Sequence, residues 1–199
     1  MLTQLPPSPL PSLRAVELAP ADAPLLQRFF DENPQYFLAV QGEPAGPGEA
    51  TEEIAGELPP GVPHTRKWVI GYVAPNGALA GIANLVSDIF APTVWNVSTF
   101  IIATARHGSG EAQALYKSLE AWAAGSGACW LRLGVVKGNT RGERFWLAQG
   151  FVDTRERSGY QIGRQVNVLR VMAKPLHGGS IDDYLSLVPR DRPEHANAL

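Results

Sequence analysis

A glycine-containing turn between an apolar run and an amphipathic stretch carries the residues best suited to bind a ligand. It follows residues 100–104 and reads His107-Gly108-Ser109-Gly110-Glu111-Ala112. Unpaired N–H groups at the start of a helix, together with the positive end of the helix dipole, favour a phosphate, and glycine lets the backbone approach it closely. The turn therefore predicts a site for a ligand that contains a pyrophosphate.

Two common phosphate-binding motifs do not fit this turn. The dinucleotide-binding fingerprint needs a third glycine, where Gln113 stands, and an acidic residue after the next strand, where Lys137 stands. A P-loop needs Gly-Lys-Ser/Thr after the turn, whereas Glu111 and Ala112 follow it. The spacing therefore argues against both of these nucleotide-binding classes.

A third motif does fit, because the turn resembles the acetyl-CoA signature of the GNAT N-acetyltransferase superfamily. That signature is Gln/Arg-x-x-Gly-x-Gly/Ala, and His107 takes the place of Gln or Arg. Residues 139–151 resemble the family's other marker, with Asn139, the aromatic pair Phe145 and Trp146, and a closing Gly-Phe. The second aromatic residue is usually Tyr, so Trp146 departs from the pattern. With the order of the predicted elements, the resemblance spans residues 13–174.

The resemblance implies how acetyl-CoA is held as a cosubstrate, without a metal. In the family the strand before the turn separates from its neighbour, and its backbone pairs with the pantetheine arm; the matching residues are Ile101, Ile102, Ala103 and Thr104. An amide near Ile102 would polarise the thioester carbonyl, and N–H groups of residues 108–112 would hold the pyrophosphate. Asn139 would hydrogen-bond the pantetheine or the acceptor. Phe145 and Trp146 would line the thiol end.

Acetyl transfer needs a neutral amine as nucleophile and a stabilised thiolate as leaving group. Trp146 has only an indole N–H, which cannot deliver a proton near neutral pH, so water, another group or an unprotonated thiolate must serve instead. As general base we predict Asp88, with Ser98 acting through a water as an alternative. His64 and Tyr36 lie on segments that could face the acceptor. A carboxylate on a loop is also commonly only a solvated turn residue.

Several of these residues also have a purely structural interpretation. His107 is a phosphate contact or an exposed residue before a helix, and Asn139 is a ligand contact or an extension of a helix cap. Tyr36, Phe37 and Trp95 mark an apolar acceptor pocket or belong to the core.

The hydrophobic periodicity predicts an α/β (α+β) fold with a mixed sheet and helices. The resemblance implies that this is the GNAT acyl-CoA N-acyltransferase fold, whose mixed sheet is mostly antiparallel and flanked by helices. The predicted strands are 13–18, 68–73, 80–86, 94–103, 130–136, one around Tyr160, and 166–172. The predicted helices are 20–33, 49–58, 111–124 and one that begins with a capping box at Thr140 and Glu143 and ends at Gly150. The turn Pro75-Asn76-Gly77 predicts a hairpin.

The length and pattern predict one domain at 13–175, a flexible N-terminus at 1–12, and a partly mobile C-terminal extension at 176–199. Ser180 begins one more short predicted helix in that extension. The net charge of -2, with no basic run, argues against nucleic acid as a partner. Short apolar runs argue against a membrane partner. The single cysteine, Cys129, fits a reducing compartment, so we expect a cytoplasmic protein, with a homodimer possible.

These observations predict an N-acetyltransferase that passes the acetyl group of acetyl-CoA directly, in a ternary complex, to a primary amine of an unidentified small molecule or peptide. One alternative is a CoA-binding regulatory module that has lost turnover, which Trp146 and the unclear base would explain. Another is an α/β domain that binds a different phosphate ligand.

Overall fold

A computed structural model describes residues 4–195 of the chain and contains a seven-stranded sheet of order β1-β2-β3-β4-β5-β7-β6. Only β4 and β5 run parallel, and every other neighbouring pair is antiparallel. The predicted mixed, mostly antiparallel sheet is thus confirmed. Its strands are β1 Arg14–Glu17, β2 Arg66–Val73, β3 Leu79–Ser87, β4 Val94–Ile102, β5 Trp130–Val136, β6 Val152–Ile162 and β7 Gln165–Pro175.

Helices cover both faces of the sheet. Each helix buries its apolar side by packing on the sheet. The helices are α1 Ala23–Glu32, α2 Gln35–Gln41, α3 Glu49–Ala55, α4 Glu111–Gly125, α5 Thr140–Ala148 and α6 Ile181–Leu187. Leu115 and Leu119 of α4 pack on one face of the sheet, with Trp146 of α5. Leu26 and Phe29 of α1 pack on the other. None of the helices within residues 4–195 is both long and apolar enough to cross a membrane.

The sequence predicts most of these elements, including the hairpin between β2 and β3. Gly77 at its tip has a φ of 84°, and the Asn76 side chain accepts a hydrogen bond from Ala78 N at 3.1 Å. Helix α2 was not predicted, because it is only 7 residues long and follows directly on the proline that ends α1. It ends at Gly42, whose φ is 77°.

The described part of the C-terminal extension packs against the sheet. The predicted short helix is present as α6, which a capping box between Ser180 and Asp183 begins. Asp191, which is fully buried, accepts hydrogen bonds from Arg132 Nε on β5 at 2.7 Å and from the Tyr184 hydroxyl at 2.5 Å. The flexibility predicted for 1–12 and for part of 176–199 stays a prediction.

Candidate functional site

A cleft opens in the middle of the sheet, where β4 and β5 separate. The two strands pair only from Val94 and Trp130 to Val97 and Leu133. Ser98 marks the point of separation, since the register between β3 and β4 shifts there and leaves it as a β-bulge. Beyond it, 98–102 and 134–136 form no ladder with each other within the described chain. The central sheet therefore has two unpaired strand edges facing each other.

The backbone of β4 directs the amide of Ile102 into this cleft. Ala103 N donates to Ala80 O on β3 at 2.9 Å, and Thr104 N donates to the Asn33 side chain at 2.6 Å. Because successive amides of a strand point to opposite sides, the amide of Ile102 points away from β3 and into the cleft. Of the predicted pantetheine contacts, the amides of Ala103 and Thr104 are thus already engaged, whereas that of Ile102 faces the cleft.

The glycine turn closes one end of the cleft. Gly108 and Gly110 have φ values of 81° and 84°, and a Cβ added at either would meet no atom within 4 Å. Gly110 is the N-cap of the 15-residue helix α4 and makes no side-chain cap. Among the residues described, the amides of Gly108, Ser109, Gly110 and Ala112 donate no hydrogen bond. The turn therefore presents free amides to open space at the positive end of the α4 dipole.

The imidazole of His107 bonds to protein atoms through both ring nitrogens. Nε2 lies 2.9 Å from Ile102 O, which can only accept, so Nε2 carries the proton. Nδ1 then accepts from the guanidinium of Arg141, in the first turn of α5. His107 therefore links the end of β4 to α5. Sequence reasoning did not single out Arg141, because only the fold brings these two segments together.

Asn139 is the N-cap of α5, which corrects the predicted capping box at Thr140 and Glu143. Its Oδ1 accepts from Gly142 N at 3.1 Å, and Asn is at least as good a cap as Thr. Thr140 instead donates to Gly138 O, and Glu143 accepts from Gly138 N, both at 3.4 Å. A Cβ on Gly142 would lie 2.9 Å from Asn139 Nδ2, so a larger residue there would displace the capping side chain.

The aromatic pair of α5 joins the cleft to the core. Phe145 stacks on Phe100 of β4 with ring centroids 5.8 Å apart and planes at 17°. Trp146 is buried and packs edge-on against Tyr116 of α4 at 5.4 Å and against Phe151 at 5.3 Å. The second sequence marker is thereby brought next to β4, the strand that precedes the first marker.

The candidate base and its alternatives lie in different places. Asp88 Oδ1 accepts from Thr93 N at 2.8 Å in the loop before β4, which is the end of that strand farthest from the glycine turn. His64 is exposed and contacts Val62 O at 3.1 Å. Ser98 lies at the point of strand separation. A catalytic role for Asp88 stays a prediction.

Of the possible acceptor-pocket aromatics, two belong to the core. Phe37 and Trp95 are buried, and Trp95 stacks on Trp68 with centroids 5.0 Å apart. Tyr36 is half-buried at the side of α2 that faces α3.

A second cleft, of about 220 Å³, lies between α3 and the strands β3 and β4. Its lining includes Lys67, Asn84, Ser98 and the carboxylates Glu49, Glu52, Glu53 and Glu57. The sequence predicted helix α3 but not that its carboxylates line a cleft. The spacing of Glu49, Glu52 and Glu53 could have indicated it, since positions i, i+3 and i+4 share a helix face.

Comparison with known proteins agrees with the geometry. The sequence model of the Acetyltransferase (GNAT) family matches residues 7–151. An acetyltransferase from Thermus thermophilus is 23% identical with a TM-score of 0.64, over 82% of this chain and 97% of its own. Spermidine N-acetyltransferase from Vibrio cholerae, in complex with CoA and spermine, is 14% identical with a TM-score of 0.61, over 83% and 96%. No curated protein matches the chain.

A third solved structure shows the same fold. The ribosomal-protein-S18-alanine N-acetyltransferase from Escherichia coli is 15% identical with a TM-score of 0.61, over 84% of this chain and 96% of its own. At these identities the structural neighbours support the fold alone. The assignment to the family rests on the match of its sequence model to residues 7–151.

Proposed function

The chain belongs to the GNAT acetyltransferase family, and on that premise we propose that it transfers the acetyl group of acetyl-CoA directly, in a ternary complex, to a primary amine of a small molecule or peptide. The observation that carries the proposal is the row of free amides at the start of α4, beside the separated strands β4 and β5. A diphosphate needs such donors, and an extended arm needs an unpaired strand edge.

The residues present fit coenzyme A. Gly108 and Gly110 leave open space above the turn, where a side chain would otherwise stand. The free amides of Gly108, Ser109, Gly110 and Ala112 would hold the pyrophosphate. The amide of Ile102 would donate to the thioester carbonyl oxygen. Phe145 and Trp146 supply an apolar wall at the thiol end. When bound, acetyl-CoA supplies an activated acetyl thioester.

The protein's own part in the reaction is to bring a neutral amine to that thioester and exclude water. The amine nitrogen forms the new C–N bond, the C–S bond breaks with its electron pair on sulfur, and the surplus proton leaves the nitrogen for a carboxylate or water. The buried indole of Trp146 holds the aromatic wall in place and is no proton donor. The thiolate therefore leaves unprotonated or takes its proton from a group other than Trp146.

A second candidate is a CoA-binding module without turnover. The observation that favours it is Trp146, which stands where the family usually has Tyr and packs within the core. Such a module would use the same amides and the same strand edge, so it would bind CoA equally well. Only turnover separates the two functions.

Thermal melting with acetyl-CoA, CoA, ATP and NAD in parallel tests the shared part of both functions. A ligand at a hundred times its dissociation constant stabilises by about 2.7 kcal/mol, which raises Tm by roughly 5–10 °C at this size. We expect shifts with the two CoA species only. No shift with either would rule out both functions. Thiol release with a panel of amines then separates them, since silence across the panel with retained CoA binding favours the module.

A further inference from the structure

The cleft beside α3 carries a strong excess of negative charge. Its carboxylates are Glu49, Glu52, Glu53 and Glu57. Within residues 4–195 none of the four forms an ion pair. Lys67 is the cation in the lining, and its Nζ donates to Gly56 O at 2.7 Å. Four carboxylates therefore face one ammonium, and the cleft favours a cation.

Asn84 provides an independent sign of a ligand. It is only 6% exposed, it lines this cleft, and its Oδ1 has no hydrogen-bond partner in the described chain. Its Nδ2 donates to Glu53 Oε1 at 2.7 Å, which fixes the orientation of the amide, because a carboxylate cannot donate. A buried acceptor without a partner costs free energy unless a donor meets it. An N–H group of a bound ligand would supply the donor that Asn84 Oδ1 lacks.

The cleft also reaches the proposed acetyl site. Asn84 on β3 pairs in register with Thr99 on β4, next to the Ser98 bulge where β4 leaves β5. Ser98 itself lines the cleft together with Glu53. A cationic group held by Asn84 would therefore lie beside the unpaired edge of β4, three residues along that strand from Ile102.

Tyr36 on α2 lies near the carboxylates of Glu53 and Glu49. Burial, followed by the carboxylates of Glu53 and Glu49, raises the pKa of its phenol well above the ordinary value. The phenol therefore stays neutral beside those carboxylates and adds no further negative charge to the cleft.

We infer that the acceptor is an amine with a second positive charge, whose cationic group meets Asn84 and the carboxylates of α3 and whose reacting nitrogen extends along β4 towards Ile102. This inference rests on the proposed acetyl transfer. Two charges are required because the reacting nitrogen must become neutral before it attacks, so the second group must supply the lasting attraction to Glu49 and Glu52. A neutral or anionic second group would lack it.

Three primary amines with four carbon atoms each test the inference. They are 1,4-diaminobutane, n-butylamine and 4-aminobutanoate, whose other ends are a cation, a methyl group and an anion. We expect kcat/KM from thiol release to be at least about tenfold higher for the diamine than for butylamine, which corresponds to about 1.4 kcal/mol, and lowest for 4-aminobutanoate. Equal values for the diamine and butylamine, or a preference for the anion, would overturn the inference.

Charge-neutral variants of α3 test the contact itself. Glu49→Gln, Glu52→Gln and Glu53→Gln should each raise KM for 1,4-diaminobutane and narrow the preference for the diamine over butylamine. Glu53→Gln keeps an oxygen for Asn84 Nδ2. The control is Glu32→Gln on α1, an exposed carboxylate outside the cleft lining. A diamine KM that stays unchanged in all three α3 variants would refute the contact.

A calorimetric titration separates failure of this inference from failure of the proposed function. If no amine releases thiol, the acetyl transfer fails, but 1,4-diaminobutane can still be titrated into the CoA-saturated protein. Binding that is weakened in the α3 variants and unchanged in Glu32→Gln then supports the cation site. Absence of binding, or binding that is equal in every variant, counts against it.

Discussion

The imidazole Nε2 of His107 lies 2.9 Å from the carbonyl oxygen of Ile102, so the ring of the first motif residue folds back onto the strand that precedes the turn. The family signature has Gln or Arg at this position, and either could also donate to that carbonyl. The side chain thus holds the glycine turn against the end of β4. The backbone amides of the glycine turn, rather than the ring of His107, are then the groups left to face a phosphate.

Replacement of His107 tests this role. His107→Ala removes the hydrogen bond that fixes the turn, and we expect the Kd for CoA to rise about fivefold, which corresponds to about 1 kcal/mol for one hydrogen bond. His107→Gln should retain most of the affinity, because its amide can donate to Ile102 O. Isothermal titration calorimetry measures both. Equal affinity of His107→Ala and the wild type would show that the ring does not organise the turn.

Asn139 allows its capping role to be separated from a ligand role. Asn139→Asp keeps an oxygen for Gly142 N and adds a charge that suits a helix N-terminus, so the melting temperature should not fall. It removes Nδ2, which donates no hydrogen bond inside the described chain. We expect Asn139→Asp to fold normally and to bind acetyl-CoA or the acceptor more weakly.

Asn139→Ala is the matched comparison, since it loses both roles. It should lower the free energy of unfolding by about 1 kcal/mol through loss of the cap and weaken the ligand to a similar degree. If Asn139→Asp turns over like the wild type, the residue is only a cap.

Trp146 is expected to act through packing. Trp146→Phe leaves a smaller ring beside Tyr116 and Phe151, and should lower the free energy of unfolding by about 1–3 kcal/mol. Because an indole does not titrate near neutral pH, the pH profile of kcat/KM should keep its shape. Denaturant unfolding and a pH–rate series check the two parts. Loss of one limb of the profile would reveal a proton-transfer role that we do not expect.

The C-terminal extension should be sensitive to acid through Asp191. Burial alone would raise the pKa of this carboxyl, but the Arg132 guanidinium and the Tyr184 hydroxyl lower it below the ordinary value. A lowered pKa in the folded protein means that the carboxylate stabilises the fold above the unfolded pKa of about 3.9, and that this stabilisation is lost as the pH falls further.

Asp191→Asn should therefore lower the free energy of unfolding at pH 7 by about 3 kcal/mol, because it leaves the Arg132 charge without its partner. It should also flatten the dependence of stability on pH below about 4. Asp182→Asn is the control, because Asp182 is exposed on the neighbouring helix and forms no ion pair within the described residues. If the free energy of unfolding depends on pH in the same way in both variants, the acid sensitivity does not arise from Asp191.

The sequence predicted the parts of the site that depend on local order. The spacing of Gly108 and Gly110 before an amphipathic helix defines the turn, and Pro75-Asn76-Gly77 defines the hairpin, because both follow from backbone conformation within a few residues. The cap of α5 was placed one residue too late, since Asn139 and Thr140 are both good caps and only the fold decides between them.

Features that join distant segments were not predictable. The cleft beside α3 exists because Glu53 meets Asn84, 31 positions along the chain, at 2.7 Å. Burial of Asp191 against Arg132 joins positions 59 apart. No hydrophobic periodicity or sequence motif predicts these two pairs. From the sequence alone, a charged residue on a short helix is expected to be exposed to solvent, and only the fold shows which sheet it faces.

Calorimetric titration of CoA into three proteins tests the central claim most directly: the wild type, Gly110→Asp and Gly178→Asp. The two glycines have φ values of 84° and 79°, and both face open space, so the two variants carry similar backbone strain. Only Gly110 stands where we place the pyrophosphate, at which a carboxylate would repel it. We predict that Gly178→Asp binds CoA like the wild type and that Gly110→Asp, though folded, binds at least about tenfold more weakly. Folded Gly110→Asp with wild-type affinity would contradict the account.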